Sequence, residues 1–176
     1  MSDSTITIIA IFVAAILMFI FPLMAMSDRT DDMSQLSVQT ATTEFVDNVR
    51  TTGVLSLNNY QKYVDSISAT GNNYEVEMEA QILDENPGKK TTQTQSTKIG
   101  ENVYYSQYTS QIMDELNKNS KGTYTLKEGD FFSASAKNTN ATISQQLKSA
   151  FYKVTGNDTY SISAKHGGIV TVTGTK

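Results

Sequence analysis

Few residues in this chain are of the types that catalyse reactions or ligate metals, and their spacing does not bring them together. The 176 residues include one histidine, His166, and no cysteine. A chain without cysteine forms no disulfides, has no thiolate chemistry and offers no cysteine ligands to metals. His166 is followed by two glycines, which is typical of a turn. We therefore interpret His166 as a turn residue rather than as a metal ligand or a catalytic base.

Three glutamates could perform general acid–base chemistry, because such sites often use paired carboxylates. They are Glu75, Glu77 and Glu79, and they alternate with apolar residues. A period of two places all three on one face of a β-strand and the apolar residues on the other face. The pattern therefore predicts a solvated strand face, where acidic side chains are common.

A second acidic group, Asp28, Asp31 and Asp32, follows the apolar N-terminal stretch. Oxygen-rich clusters of this kind can bind calcium, although calcium loops of the EF-hand type have a spacing that these residues do not follow. The spacing places them on one side of a helix just beyond the apolar stretch. We interpret them as a solvated helix end, with a calcium site as the alternative.

The remaining polar residues carry no recognisable catalytic or cofactor-binding motif. Serine and threonine are abundant, but the sequence contains no GxSxG or SxxK motif for a nucleophile, and no GxGxxG or phosphate-binding loop. The net charge of -4 also argues against a nucleic-acid partner, which requires a basic surface. We expect neither enzymatic activity nor a cofactor, metal or nucleic acid.

The most informative segment is residues 5–26, which contain no charged side chain. A helix of about 20 apolar residues spans the roughly 30 Å hydrocarbon core of a bilayer. A cleavable signal peptide is the competing interpretation, but no Lys or Arg precedes the segment, and Leu23 stands where cleavage after Ala25 needs a small residue. We therefore predict an uncleaved, single-pass membrane segment.

The helical pattern continues beyond this segment. Apolar residues recur at steps of three and four over residues 33–49, and no Gly or Pro interrupts them before Gly53. One helix containing both segments would have about 45 residues and a length of roughly 65 to 70 Å. Pro22 lies inside it and is expected to kink or loosen it locally.

The rest of the chain predicts a small α+β head with short helices and a mainly antiparallel sheet. A helix capped by Ser56, carrying Tyr60, Val64 and Ile67, ends at Gly71. A half-buried strand follows over residues 74–82, then a long loop over 84–97.

Further elements are expected towards the C-terminus. The spacing of Tyr108, Ile112, Met113 and Leu116 predicts a short helix, and Tyr104 and Tyr105 near it are either core residues or surface aromatics for a partner.

Two hairpins and one more helix complete the prediction. The first hairpin joins residues 123–127 to 131–137, and the second turns at residues 166–168. Between them, Asn138 or Asn140 caps a helix that carries Ile143, Leu147, Phe151 and Val154 and ends at Gly156. The domain boundaries are 1–52 for the long N-terminal helix, with 5–26 as span or filament core, and 53–176 for the head.

Three head-side segments resemble those of the Tad-like and type IV pilin-like (pseudopilin) proteins of Gram-positive bacteria. They are TEFVDNVR at 43–50 with Gly53, TGNNYEVE at 70–77, and LKEGDFF at 126–132. The resemblance implies a long apolar helix that packs into a filament core or a membrane platform, with the head outside. Type IV pilins as a group have a basic leader and a Glu early in the mature helix; here no Lys or Arg precedes the apolar stretch, and Asp3 is the only acid that could replace that Glu.

Two functions follow from these patterns. The first is a structural subunit that assembles through its N-terminal helix into an extracellular filament or a secretion or adhesion machine, with copies of itself and pilus-assembly membrane proteins as partners and membrane lipid around the helix before assembly. The second is a monomeric membrane-anchored surface domain whose head, for example through its 84–97 loop, binds a ligand or a partner protein. Arg29 is the only basic residue near the span, so the outside position of the head rests on its Thr-, Ser-, Asn- and Tyr-rich composition.

The residues predicted to form the assembly surface lie in the apolar helix, where Ala10, Ala14 and Ala15 would allow close approach of a neighbouring helix. The full set is Ile9, Ala10, Phe12, Val13, Ala14, Ile16, Leu17, Phe19, Ile20 and Pro22.

Overall fold

The computed structural model describes residues 2–84, 104–152 and 161–175. Its dominant element is a single helix, α1 (Ser2–Thr52), of 51 residues, which confirms the predicted continuity across both segments. At 1.5 Å per residue α1 is about 76 Å long. Pro22 lies within α1 and does not end it.

Gly53 ends α1 because its backbone has a φ of +66°, a conformation that favours glycine. Its N–H donates to the carbonyl of Val49 at 2.8 Å. A Cβ at this position would collide with the backbone of Val172 and Gly174, so the C-terminal segment also requires glycine here.

The remaining elements form a small head. In chain order they are β1 (Val54–Ser56), α2 (Leu57–Ser68), β2 (Tyr74–Leu83), β3 (Tyr104–Tyr108), α3 (Thr109–Lys118), β4 (Thr123–Thr125), β5 (Phe131–Asn138), α4 (Ile143–Tyr152) and β6 (Ser163–Ile169). Among the described residues, one antiparallel sheet has the order β3-β2-β5-β6, and β1 pairs with β4 in a separate two-stranded sheet. The predicted α+β architecture, with a long N-terminal helix and a mainly antiparallel head, is confirmed.

The second half of α1 forms part of the core of the head. Val38, Val46 and Val49 are fully buried, and α1 packs over β5 and β6. The ring of Phe45 stacks on that of Tyr63 in α2, with centroids 4.5 Å apart, and meets Phe132 of β5 edge-on at 6.0 Å. α1 therefore joins the helical layer to the sheet.

The alternation of apolar residues and glutamates in β2 separates a buried face from a solvated face, as predicted. Met78 and Ala80 are buried on the face that meets the helices, whereas Glu75 and Glu77 are exposed on the opposite face. Glu79 is half-buried and accepts hydrogen bonds from the Ser106 hydroxyl at 2.9 Å and the Gln81 amide at 3.1 Å. The solvated strand face is thus confirmed for two of the three glutamates.

The predicted second helix is confirmed as α2. Its N-cap is Ser56, whose hydroxyl accepts from the Asn59 N–H at 3.2 Å. The chain leaves α2 through a turn that contains Gly71. Ile67 of the predicted stripe is buried and Tyr60 packs against the core, whereas Val64 is half-buried. Tyr63 is the buried residue that the prediction did not include.

The first predicted hairpin is wrong, although both of its strands exist. β4 pairs with β1, with Leu55 opposite Tyr124, and β5 pairs with β2 and β6. Asp130 is the physical reason for the separation. This 2% exposed side chain accepts backbone N–H bonds from Leu83 at 2.9 Å and Lys127 at 2.7 Å, and thereby ties the turn to the end of β2.

The second predicted hairpin is also wrong, because β6 continues straight through residues 166–168. His166 lies opposite Ala134 and Gly168 opposite Phe132 in one uninterrupted ladder with β5. The glycines provide space rather than a turn: a Cβ at Gly168 would collide with the Arg50 guanidinium. His166 is accordingly a strand residue and not the predicted turn residue.

The predicted helix exists as α4, but it begins at Ile143, later than a cap at Asn138 or Asn140 implies. Thr142 is the cap: its hydroxyl accepts from the Gln145 N–H at 3.2 Å, and the Gln145 side chain accepts from the Thr142 N–H at 3.1 Å. This reciprocal pair is a capping box. Asn140 instead accepts from the Asn73 N–H at 2.7 Å. Val154 and Gly156 lie outside the described residues.

The tyrosine-rich segment before α3 forms an edge strand that the sequence analysis did not predict. β3 pairs with β2, and Tyr104, Tyr105 and Tyr108 are all exposed, so they are surface aromatics rather than core residues. The predicted helix that follows is confirmed as α3, with Ile112 and Leu116 buried. The predicted 84–97 loop lies outside the described residues except for Asp84.

Candidate functional site

The candidate assembly surface is the N-terminal part of α1, which projects from the head. Of the described residues, this helix alone is long and apolar enough, by length and composition, to span a membrane. The most apolar 18 residues of this helix have a mean hydropathy of 2.9, and none of them is buried inside the structure.

Large apolar side chains are exposed on all sides of the projecting part. Phe12, Met18 and Phe21 are 67%, 77% and 62% exposed, and at 3.6 residues per turn they point in different directions. A helix that is apolar all round is one that a membrane or a larger assembly surrounds.

The predicted assembly residues all lie on this projecting part. Most are exposed, namely Ile9, Ala10, Phe12, Val13, Ala14, Ile16, Phe19 and Pro22. Leu17 and Ile20 are half-buried. The structure thus places the set on one unpartnered stretch, and its assembly role stays a prediction.

A first attachment between α1 and the head uses two of the three aspartates. The Thr142 hydroxyl donates to Asp31 Oδ2 at 2.7 Å, and the Ser144 hydroxyl donates to Asp28. Both hydroxyl residues are buried at the first turn of α4, where a carboxylate also interacts favourably with the helix dipole.

These contacts correct the predicted solvated helix end. Asp28 and Asp31 are half-buried and bonded to α4, and only Asp32 is exposed. In the described ranges, no group of three or more His, Asp or Glu side chains is arranged to hold a metal ion. The T-x-x-Q capping motif at 142–145, which the sequence analysis did not identify, places the hydroxyls of Thr142 and Ser144 at the start of a helix.

A second attachment lies one turn further along α1. The Gln35 amide donates to the carbonyl of Ser163 at 2.7 Å, and the Ser163 N–H donates to Gln35 Oε1 at 3.0 Å. The side chain therefore pairs with the edge of β6 as a neighbouring strand would.

A third attachment joins the end of α1 to β6 through charged groups. The Arg50 guanidinium donates to Asp47 Oδ1 at 2.7 Å and to the carbonyl of Ile169 at 3.0 Å. The His166 imidazole lies 3.2 Å from the same Asp47 oxygen. The three attachments fix α1 to the head from residue 28 to residue 50.

A cleft of about 380 Å³ lies at the β3 edge of the sheet, between β2, β3, α3 and β4. Tyr105 and Tyr124 line it together with Gln107, Glu115 and Lys127. The Tyr124 hydroxyl donates to Gln107 at 2.6 Å. Burial raises the pKa of Tyr124 well above its ordinary value, and the nearby charges of Glu115 and Asp130 raise it further.

A groove of about 540 Å³ lies at the junction of α1 and the head. Leu23 and Met26 of α1 and Ile143 of α4 provide its apolar wall. Polar groups line the rest, among them Thr30, Asn72 and Asn140.

No protein-family model, curated protein or solved structure gives a significant match to this chain. The pilin-like resemblance therefore rests on the three sequence segments and remains a prediction.

Proposed function

We propose that this chain is a pilin-like structural subunit, or a minor pseudopilin, that assembles through its N-terminal apolar helix. One observation carries the proposal. α1 is a single helix whose second half is fixed in the core of the head, whereas its first half projects as an apolar rod with no partner in the described structure.

An apolar rod in water is unstable, because exposed apolar area costs roughly 25 cal/mol per Å². A bilayer covers it before assembly, and identical helices bundled in a filament cover it afterwards. A head-to-tail contact that does not close on itself propagates into a helical fibre. The proposed location is the cell membrane, with one span and an extracellular head, and the cell surface once assembled.

Cysteine scanning of the projecting helix tests this proposal. Because the chain contains no cysteine, each single cysteine placed at positions 9–20 is a unique cross-linking site. In membranes and in sheared surface material from producing cells, we expect cross-linked dimers whose yield varies with a period near 3.6 residues. A cysteine at Ser120, exposed on the head, is the control. Yields that match this control at every position would refute self-assembly through the helix.

A charge in the helix gives a second test. Ala14→Asp should abolish multimers, because a charge at the centre of an apolar helix costs about 2.5 to 3.5 kcal/mol even on insertion scales. Ala14→Ser is the matched control and should still assemble. Membrane extraction with carbonate then separates lost assembly from lost insertion. Filaments formed by Ala14→Asp would contradict the proposal.

The alternative function is a monomeric membrane-anchored surface domain that binds a ligand through its head. The cleft lined by Tyr105 and Tyr124 favours this candidate, because it combines aromatic walls with hydrogen-bonding side chains. Under this view Tyr105→Ala abolishes ligand binding. Under the assembly view it leaves filament formation unchanged.

A further inference from the structure

We infer that the groove at the junction of α1 and the head seats the headgroup region of a zwitterionic membrane phospholipid. The inference rests on the membrane-inserted state proposed above and specifies the partner of the head in that state.

The position of the groove along α1 is the first argument. A hydrocarbon core of about 30 Å covers about 20 residues of helix, so a span that starts near Thr5 ends near Ala25. Leu23 and Met26, which line the groove, thus lie at the boundary between acyl chains and headgroups.

The composition of the groove is the second argument. Its apolar wall includes Ile143, which is 69% exposed although it begins a helix otherwise attached to α1. The polar wall presents hydroxyl and amide groups of Thr30, Asn72 and Asn140. A cavity that is apolar at the membrane side and polar at the head side matches the change from glycerol and acyl carbons to a headgroup.

Charge favours a zwitterionic lipid. Asp31 is the one charged residue among the described residues that line the groove. This local negative charge repels anionic headgroups and attracts the ammonium group of a choline or ethanolamine headgroup.

Tryptophan fluorescence in vesicles tests the inference, because the chain contains no tryptophan. Full-length Ile143→Trp is reconstituted into phosphatidylcholine vesicles that contain lipids brominated near the top of the acyl chains. The matched control is Ile169→Trp, an isoleucine exposed to a similar degree at the Arg50 end of α1. About 36 Å of helix separates Met26 from Arg50.

We expect the Ile143→Trp emission to be blue-shifted and quenched several-fold more strongly than that of Ile169→Trp. Ala141→Trp, on the head side of the same groove, gives an independent reporter if Ile143→Trp does not fold. Moving the brominated chains from phosphatidylcholine to phosphatidylglycerol, at the same brominated fraction of the lipid, should reduce quenching at both groove positions. Unchanged quenching in that mixture would overturn the assignment to a zwitterionic headgroup.

Ile16→Trp, in the middle of the projecting helix, separates the two proposals. If Ile16→Trp is quenched by deeply brominated lipid while Ile143→Trp behaves like Ile169→Trp, the head stands clear of the bilayer and the groove inference fails alone. If Ile16→Trp is not quenched either, the membrane-inserted state fails and this inference fails with it.

Discussion

At the residue scale, Asp28 and Asp31 of α1 stabilise the packing of the head against this helix. Asp31 accepts a 2.7 Å hydrogen bond from the Thr142 hydroxyl, which also caps α4. The pair lies 111 residues apart in the chain, so local spacing carries no information about it. Only the capping motif at 142–145 could have indicated that a helix start was available there.

Asp31→Asn should lower the free energy of unfolding by about 1 kcal/mol, because it weakens a charge-assisted hydrogen bond at a half-exposed site. Asp32→Asn is the matched control, since Asp32 is exposed and adjacent. Urea unfolding of the detergent-solubilised full chain measures both. Equal stability of the two variants would show that the contact with Thr142 contributes nothing.

Because of Tyr124, we expect the free energy of unfolding to fall at alkaline pH. Burial raises the pKa of its hydroxyl above the ordinary value of 10.0, so the unfolded chain releases this proton at a lower pH than the folded chain does. The contribution of Tyr124 is complete below pH 10.0 and is lost as the pH rises above it.

Tyr124→Phe should therefore flatten the decline in stability above this pH, while the lost bond to Gln107 lowers stability at neutral pH by about 1 kcal/mol. Burial also raises the pKa of Tyr63, so part of the decline should remain. Unfolding curves at several pH values measure the slope, with Tyr104→Phe on the exposed edge strand as a control for the chemical change. An unaltered slope in Tyr124→Phe would contradict this account.

At the element scale, the spacing of apolar residues predicted the positions of helices and strands better than it predicted which strands pair. α1, α2, β2 and α3 follow clear periods of 3.6 or 2 and were predicted. β3 reads YYSQY, with no alternation of apolar and polar residues, and was missed. Both hairpins were wrong because contacts with distant residues replace the local pairing: Asp130 in the first predicted turn binds the Leu83 N–H at the end of β2, and the Arg50 side chain occupies the space beside Gly168.

We expect that the boundary between long helix and head does not separate two independent folding units. Val38, Phe45, Val46 and Val49 of α1 belong to the same buried cluster as Phe132 and Ala134 of β5. A fragment of residues 53–176 should be unfolded, because its sheet would expose the face that α1 covers. A fragment of residues 23–176 should fold.

Circular dichroism and hydrogen exchange on the two fragments test this expectation. Phe45→Ala in the longer fragment should cost about 3 to 5 kcal/mol, since it removes a ring that packs on Tyr63 and Phe132. Cooperative unfolding of the 53–176 fragment would show that the head is independent of α1.

At the scale of the whole molecule, the projecting helix and the head have opposite surfaces. The rod is uncharged over residues 5–26, whereas the outer face of the sheet carries Glu75, Glu77, Lys137 and Lys165. Association should therefore depend on the rod alone. By sedimentation, residues 23–176 should be monomeric in solution, while the full chain in mild detergent forms multimers; multimers of the fragment would place an interface on the head.

The unbroken course of α1 also determines how the molecule responds to mechanical tension. In the proposed assembly, a pull on the head would be transmitted along one helical backbone, because α1 is continuous over residues 2–52. Pro22 has no N–H, so the carbonyl of Met18, four residues earlier, lacks its usual helical donor. We expect this turn to open first under load, and each residue that converts to extended chain lengthens the path from about 1.5 to about 3.3 Å. In the proposed assembly we therefore expect α1 to act as a stiff tether that yields first at Pro22 while the head stays folded.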